Sequence, residues 1–166
     1  MNGFVLIDRL VELEPGSRVA ASKTFAAADG LFRDHFPDNP IVPASLLIEA
    51  MAQTAGWLVV ASTGFERATQ LVMIQDAKFR RPVGPDMAID LSAAIASARD
   101  GVYELTAEAH AGGALAARAR LVLQTFAVEP KNAAFLSWAR DTYRALGGES
   151  LTLVRRGATR EGRCGS

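Results

Sequence analysis

At 166 residues, with 49% hydrophobic and 22% charged side chains, the chain is long enough for one hydrophobic core and lacks the composition of a disordered or fibrous protein. A formal net charge of zero offers no general attraction for nucleic acid or an anionic membrane surface, so neither is expected as a partner. A single cysteine, Cys164, excludes an intrachain disulfide framework and a cysteine-based metal site, and suits a reducing cytoplasm.

Met1 to Asp8 lacks the basic-then-apolar pattern of a leader, and export is not expected. Phe4 to Leu13 predicts a strand that stops at the turn signal Pro15-Gly16-Ser17, and Arg18 to Ala26 predicts a second, the two forming an antiparallel hairpin. Asp8 and Arg9 read as a structural charge pair on its solvent side. Ala27 to Val42 carries Asp29-Gly30, Pro37 and Asp38-Asn39-Pro40, which predicts a stiff loop containing neither regular helix nor central strand. Loops on rigid scaffolds are where chemistry concentrates.

Pro43 suits the first turn of a helix. Ala44 to Ala61 is apolar almost all round, as in a helix surrounded by protein, and Ser62 to Glu66 ends it. The stretch is long enough to span a bilayer, yet it contains Glu49 and Gln53. A carboxylate at a bilayer centre costs about 2.5–3.5 kcal/mol, so a buried core helix is expected. Glu49 and Gln53, four residues apart, share one stripe with Trp57.

From Ala68 the pattern turns to strands. Gln70 to Gln75 and Ala77 to Pro82 predict one long, bulged strand, with a turn at Val83 to Asp86. Met87 to Ala98 and Val102 to Ala111 flank Asp100-Gly101, a favoured two-residue hairpin turn. In the second of these, Tyr103, Leu105, Ala107 and Ala109 alternate with Glu104, Thr106, Glu108 and His110, which predicts one buried and one wet face. Gly112-Gly113 is the next turn, and Ala114 to Val128 the last strand, with Arg118 and Arg120 on its polar side. Pro130 breaks the sheet, Asn132 can cap a short amphipathic helix through about Leu146, and Gly147-Gly148 ends that helix. Arg155, Arg156, Arg160 and Arg163 make the remainder a basic, glycine-rich tail, expected to be mobile.

Two titratable groups stand out. Glutamate is rarely buried without a partner, so Glu49 inside an apolar helix has two readings. It is either an acid/base group with its pKa raised by low-dielectric surroundings or a structural carboxylate, paired with a distant arginine or pointing to solvent at a helix end. His35 sits on the proline-braced loop, where Phe36-Pro37 and Pro40 fix its direction. Together they are the pair that acid/base chemistry on one substrate requires. His110, on a wet strand face, reads as solvated. Ser45 has no histidine and carboxylate relay that would make it a nucleophile. The free N–H groups at the helix start after Pro43 can polarise a carbonyl oxygen. Asp34, His35 and Asp38 lack metal-site spacing, no phosphate-binding glycine loop precedes a helix, and no cofactor or metal is expected.

His35-Phe-Pro37, Pro40-Ile-Val-Pro43 and Leu46-Leu-Ile-Glu-Ala-Met-Ala-Gln53 occur in order with Leu6-Ile-Asp-Arg9, Glu14-Pro-Gly16 and Ala77-Lys-Phe-Arg-Arg-Pro-Val83. This set resembles the 3-hydroxyacyl-acyl-carrier-protein dehydratases of fatty-acid synthesis, over about residues 4 to 128. The resemblance implies an α+β hotdog fold over 1–129, a curved antiparallel sheet wrapped around a long central helix, followed by a C-terminal helix and basic tail over 130–166. It also implies a homodimer or dimer-based higher oligomer, with His35 of one chain opposite Glu49 of the other, and acyl carrier protein as the partner that brings the substrate. His35 would take the α-proton of a 3-hydroxyacyl thioester, Glu49 would assist departure of the hydroxyl as water, and the Ala44 N–H would hold the thioester carbonyl. Phe36, Pro43 and Gln53 are the further substrate-binding candidates. Glutamate rather than aspartate at position 49 resembles the plain dehydratase branch more than the one that also isomerises the double bond. The chain departs from the family at Asp34 and Ala44, where glycine is usual. The alternatives are a non-catalytic hotdog subunit that binds acyl chains and an acyl thioesterase.

Overall fold

Residues 4–128 and 133–151 are described by the computed structural model. Pro130, Asn132 and the basic tail, with Cys164, lie outside them. The strands are β1 (Arg9–Glu14), β2 (Arg18–Thr24), β3 (Arg67–Phe79), β4 (Ala88–Arg99), β5 (Val102–Ala111) and β6 (Ala114–Ala127), and the helices α1 (Leu31–Asp34), α2 (Ala44–Ser62) and α3 (Ala133–Ala145). All six strands pair antiparallel in the order β1-β2-β4-β5-β6-β3 and wrap α2, which is the expected hotdog arrangement.

Side-chain size explains how the sheet closes on the helix. Ala50, Met51, Ala55, Leu58 and Val59 of α2 are wholly buried against strands whose inner positions include Ala93, Ala107, Ala109, Ala117 and Ala119, each at most 2% exposed. Small residues there let the sheet approach, while Leu91, Leu105, Leu121 and Leu123 fill the remaining volume. Burial of α2 settles its membrane-length hydrophobicity in favour of a protein core.

The turns follow local backbone chemistry. Asp100 and Gly101 both have positive φ, 52° and 78°, as a two-residue hairpin turn of the primed type requires. Expected alternation holds on β5: Leu105, Ala107 and Ala109 face the core, and Glu104, Thr106 and Glu108 face outward with half-exposed His110. The bulges foreseen in β3 occur between Leu71 and Met73 and between Gln75 and Lys78, with Asp76 at φ 49°.

Three local expectations need correction. The first strand begins at Arg9, not Phe4, because the Leu6 N–H donates to Gln53 Oε1 of α2 (2.8 Å) rather than to a neighbouring strand. The loop from Ala27 to Val42 contains the helical turn α1, since prolines begin only at Pro37 and Phe32, 6% exposed, anchors the turn in the core. Pro43 caps α2 from outside its first turn, with φ −54° and ψ 134°, and its carbonyl accepts from Leu46 and Leu47. Asp8 is structural, as expected, but its charge partner is Lys23 and not Arg9: it accepts from Lys23 Nζ (2.8 Å) and from the Thr24 N–H (2.7 Å).

The C-terminal helix is integrated with the core. Ala139, Tyr143 and Leu146 are buried in the same apolar cluster as α2, and the Leu146 carbonyl accepts from the Leu10 N–H of β1 (2.9 Å).

Candidate active site

The segment between α1 and α2 is held at both ends. Phe36 and Asn39 exchange backbone hydrogen bonds, the Ile41 N–H donates to the His35 carbonyl (3.0 Å), and the Val42 N–H donates to Val83 (2.7 Å) beyond β3. His35 Nδ1 lies 3.1 Å from the Ile41 carbonyl oxygen. A carbonyl only accepts, so neutral His35 carries its proton on Nδ1 and keeps Nε2 as a free base. The imidazole stacks on Phe36, with centroids 4.3 Å apart, which fixes the plane of the ring.

His35, Phe36 and Ala44 line one cavity of about 460 Å³, together with Leu47, Phe79 and Val83. No side chain caps α2, and the Pro43 carbonyl takes only the Leu46 and Leu47 amides, so those of Ala44 and Ser45 have no partner within the helix. An imidazole base and a helix N-terminus therefore share one space. Pro43 is not part of its wall; its part is to set the helix start. Asp34, the acidic neighbour of His35, is 79% exposed and lies 3.7 Å from Arg33 Nε, so its carboxylate belongs to the solvent side of α1.

Glu49 and Gln53 line a different cavity, about 260 Å³, between α2 and strands β3 and β6. Glu49 is half-buried rather than enclosed. Gln53 Nε2 donates to Glu49 Oε1 (3.0 Å) and to the Phe4 carbonyl (2.8 Å), while its Oε1 accepts from Leu6. Thus Gln53 orients the carboxylate and fastens the N-terminal segment across α2. Within one chain His35 and Glu49 open into separate cavities.

The sequence reading assigned no role to Arg80 and Arg81. Both are exposed and line the His35 cavity. The signal was the doubled arginine before Pro82, where β3 has ended and the side chains can turn to the rim.

The FabA-like domain family matches residues 1–120, so α3 lies beyond the matched region. The 3-hydroxyacyl-[acyl-carrier-protein] dehydratase FabZ of Syntrophotalea carbinolica is 37% identical over 120 residues, 71% of this chain and 82% of that protein. The dehydratase of the same name from Rhizorhabdus wittichii is 40% identical over 119 residues, 70% and 76% of the two chains. Among solved structures, the dehydratase heterocomplex ApeI:P from Xenorhabdus doucetiae matches with a TM-score of 0.62 at 14% identity, covering 82% of this chain and 91% of that one, a likeness of fold alone. With more than half of its length inside the family and curated relatives well above 30% identity, the chain belongs to the 3-hydroxyacyl-[acyl-carrier-protein] dehydratase family.

Proposed function

We propose that the protein dehydrates 3-hydroxyacyl thioesters on acyl carrier protein to trans-2-enoyl thioesters, in fatty-acid or related acyl-chain synthesis. The observation that carries the mechanism is the His35 Nδ1 contact with Ile41, which leaves Nε2 as a base beside the start of α2, where no side chain takes the Ala44 N–H. Nε2 of His35 removes the α-proton, and the thioester oxygen, gaining negative charge, is held by the Ala44 N–H at the positive end of the helix. Glu49, as the carboxylic acid, gives its proton to the 3-hydroxyl, which leaves as water. The C2–H and C3–O bonds break, the C2=C3 bond forms, and proton transfer from His35 to Glu49 resets the site.

Because His35 and Glu49 open into separate cavities of one chain, the complete site is assigned to two copies. His35 of one faces Glu49 of the other in a homodimer. The unpaired edge of β3 supports this reading: it ends the sheet and exposes Val72, Met73 and Ile74, each 46% or more. Such an edge invites pairing with a second strand. Arg80 and Arg81 at the rim suit the phosphate on a carrier's arm. We place the dehydratase in residues 1–129 with 130–166 as an addition, and the protein in the cytoplasm, as its single cysteine suits.

The test is incubation of purified protein with 3-hydroxyacyl-acyl carrier proteins of several chain lengths, followed by mass spectrometry. A product lighter by one water is expected. No turnover in either direction at any length refutes the reading.

A further inference from the structure

The cavity beside Glu49 runs along α2. Glu49, Gln53, Gly56, Trp57 and Val60 form its helical wall, a single stripe that rises about 16 Å from first to last at 1.5 Å per residue. Beyond Glu49 and Gln53 the lining is apolar except for Thr69, whose methyl faces Gly56. Its far side is built by Phe135, Trp138 and Ala139 of α3, outside the family match. The ring of Trp138 lies 6.3 Å from Trp57 and 5.6 Å from Phe135, and Tyr143 backs Trp57 at 6.1 Å. This aromatic wall is anchored through Leu146 to β1.

Gly56 indicates that the space is used. It stands inside a long helix, where glycine is a poor helix former. A Cβ there would meet only Thr69 Cγ2 at 3.7 Å and Leu123 Cδ2 at 3.9 Å, which are ordinary contacts. No close approach demands glycine at this site; its missing methyl leaves room in the cavity.

We propose that α3 is a chain-length ruler: the alkyl tail of the substrate lies along α2 from Glu49 and ends against Trp57, Trp138 and Phe135. This rests on the dehydratase reading of Glu49. Two measures set the limit. Trp57 is eight residues past Glu49, about 12 Å along the axis, and an extended chain advances about 1.2 Å per bond, which allows about ten bonds. The cavity volume of about 260 Å³, set against roughly 150 Å³ for one that admits a six-carbon ring, gives about ten carbons as well. Both measures count from C3, where Glu49 acts, so the whole acyl group has up to about thirteen carbons and the preferred substrates are medium-chain 3-hydroxyacyl groups.

The full-length protein is assayed with four-, ten- and sixteen-carbon 3-hydroxyacyl-acyl carrier proteins. Sixteen-carbon turnover is expected to be weak, and Trp138→Ala to raise the sixteen-to-ten ratio of kcat/KM at least tenfold. Gly56→Val should lower the ten-to-four ratio at least tenfold; Gly56→Ala, which the contacts admit, replaces it if the valine variant does not fold. The chain's two tryptophans both line this cavity, so their emission reports occupancy without turnover. Decanoyl-N-acetylcysteamine should change it saturably, and acetyl-N-acetylcysteamine should not. Turnover with unchanged ratios in these variants overturns the ruler. Decanoyl binding without turnover supports the ruler and sinks the dehydratase reading, whereas neither binding nor turnover sinks both.

Discussion

Gln53 commits its amide to three partners: Nε2 donates to Glu49 and to the Phe4 carbonyl, and Oε1 accepts from Leu6. Removing it frees the carboxylate to rotate and unfastens residues 4 to 6. Gln53→Leu is expected to lower kcat about tenfold with KM within about twofold, since a misaimed proton donor affects the transition state more than binding. Glu49→Gln should lower kcat at least about 100-fold with folding retained, because the neutral amide still accepts from Gln53 but cannot give a proton. Adding Gln53→Leu to Glu49→Gln should cost little further, and steady-state kinetics of the four proteins checks this non-additivity. At this scale much was legible. The four-residue spacing of Glu49 and Gln53 put them on one helix stripe, and the prolines around His35 announced a fixed loop. That Gln53 also holds Phe4 and Leu6 was not, because a contact spanning 47 residues leaves no local pattern.

Among the elements, α3 depends on two contacts that can be tested separately. Tyr143 is buried, 7% exposed, and that burial, assisted by nearby Glu149, raises its hydroxyl above the ordinary value of 10.0. Between the unfolded and folded values the unfolded chain gives up this proton and the native chain does not. The stability contributed by the neutral ring is thus full below about pH 10 and is lost as pH rises through the folded value. The urea midpoint should fall more steeply above pH 10 in the natural protein than in Tyr143→Phe. The second contact is closer. A Cβ built on Gly148 would fall into the ring of Tyr143, so Gly148→Ala must displace the ring or the turn. A loss of about 1–3 kcal/mol is expected from urea unfolding, as for other overpacked sites. The Gly147-Gly148 pair was readable as the end of a helix, and Gly147 at φ 83° is such an end. The second glycine's need for empty space was hidden, since it arises from a ring packed back onto the turn. The helical turn α1 was likewise missed: its four residues carry no period, and it is anchored by tertiary burial of Phe32 with Leu31 packed beside it.

Over the whole molecule, the hotdog arrangement followed from one long apolar helix placed between a hairpin and four strand segments. Sheet order did not follow from alternation, because β3 leaves α2 to pair with β6, the strand furthest from it in the remaining chain, and so becomes an outer edge. This placement carries the assembly question. If His35 and Glu49 of one chain acted together, a protein lacking either could not be rescued by one lacking the other. With the site divided between two copies, a mixed dimer of His35→Ala and Glu49→Gln chains contains one site with both residues altered and one with both intact. Random exchange of equal amounts makes half the dimers mixed, each with one working site of two, so roughly a quarter of the natural activity should return. Each variant alone should be at least about 100-fold reduced. The measurement is enoyl product formed after the two inactive proteins are co-expressed or unfolded and refolded together, with separately refolded samples pooled as the control. Recovery in the mixed sample alone would assign the working site to two chains; its absence, with dimers present by light scattering, would return both residues to one chain and require the two cavities to join within it.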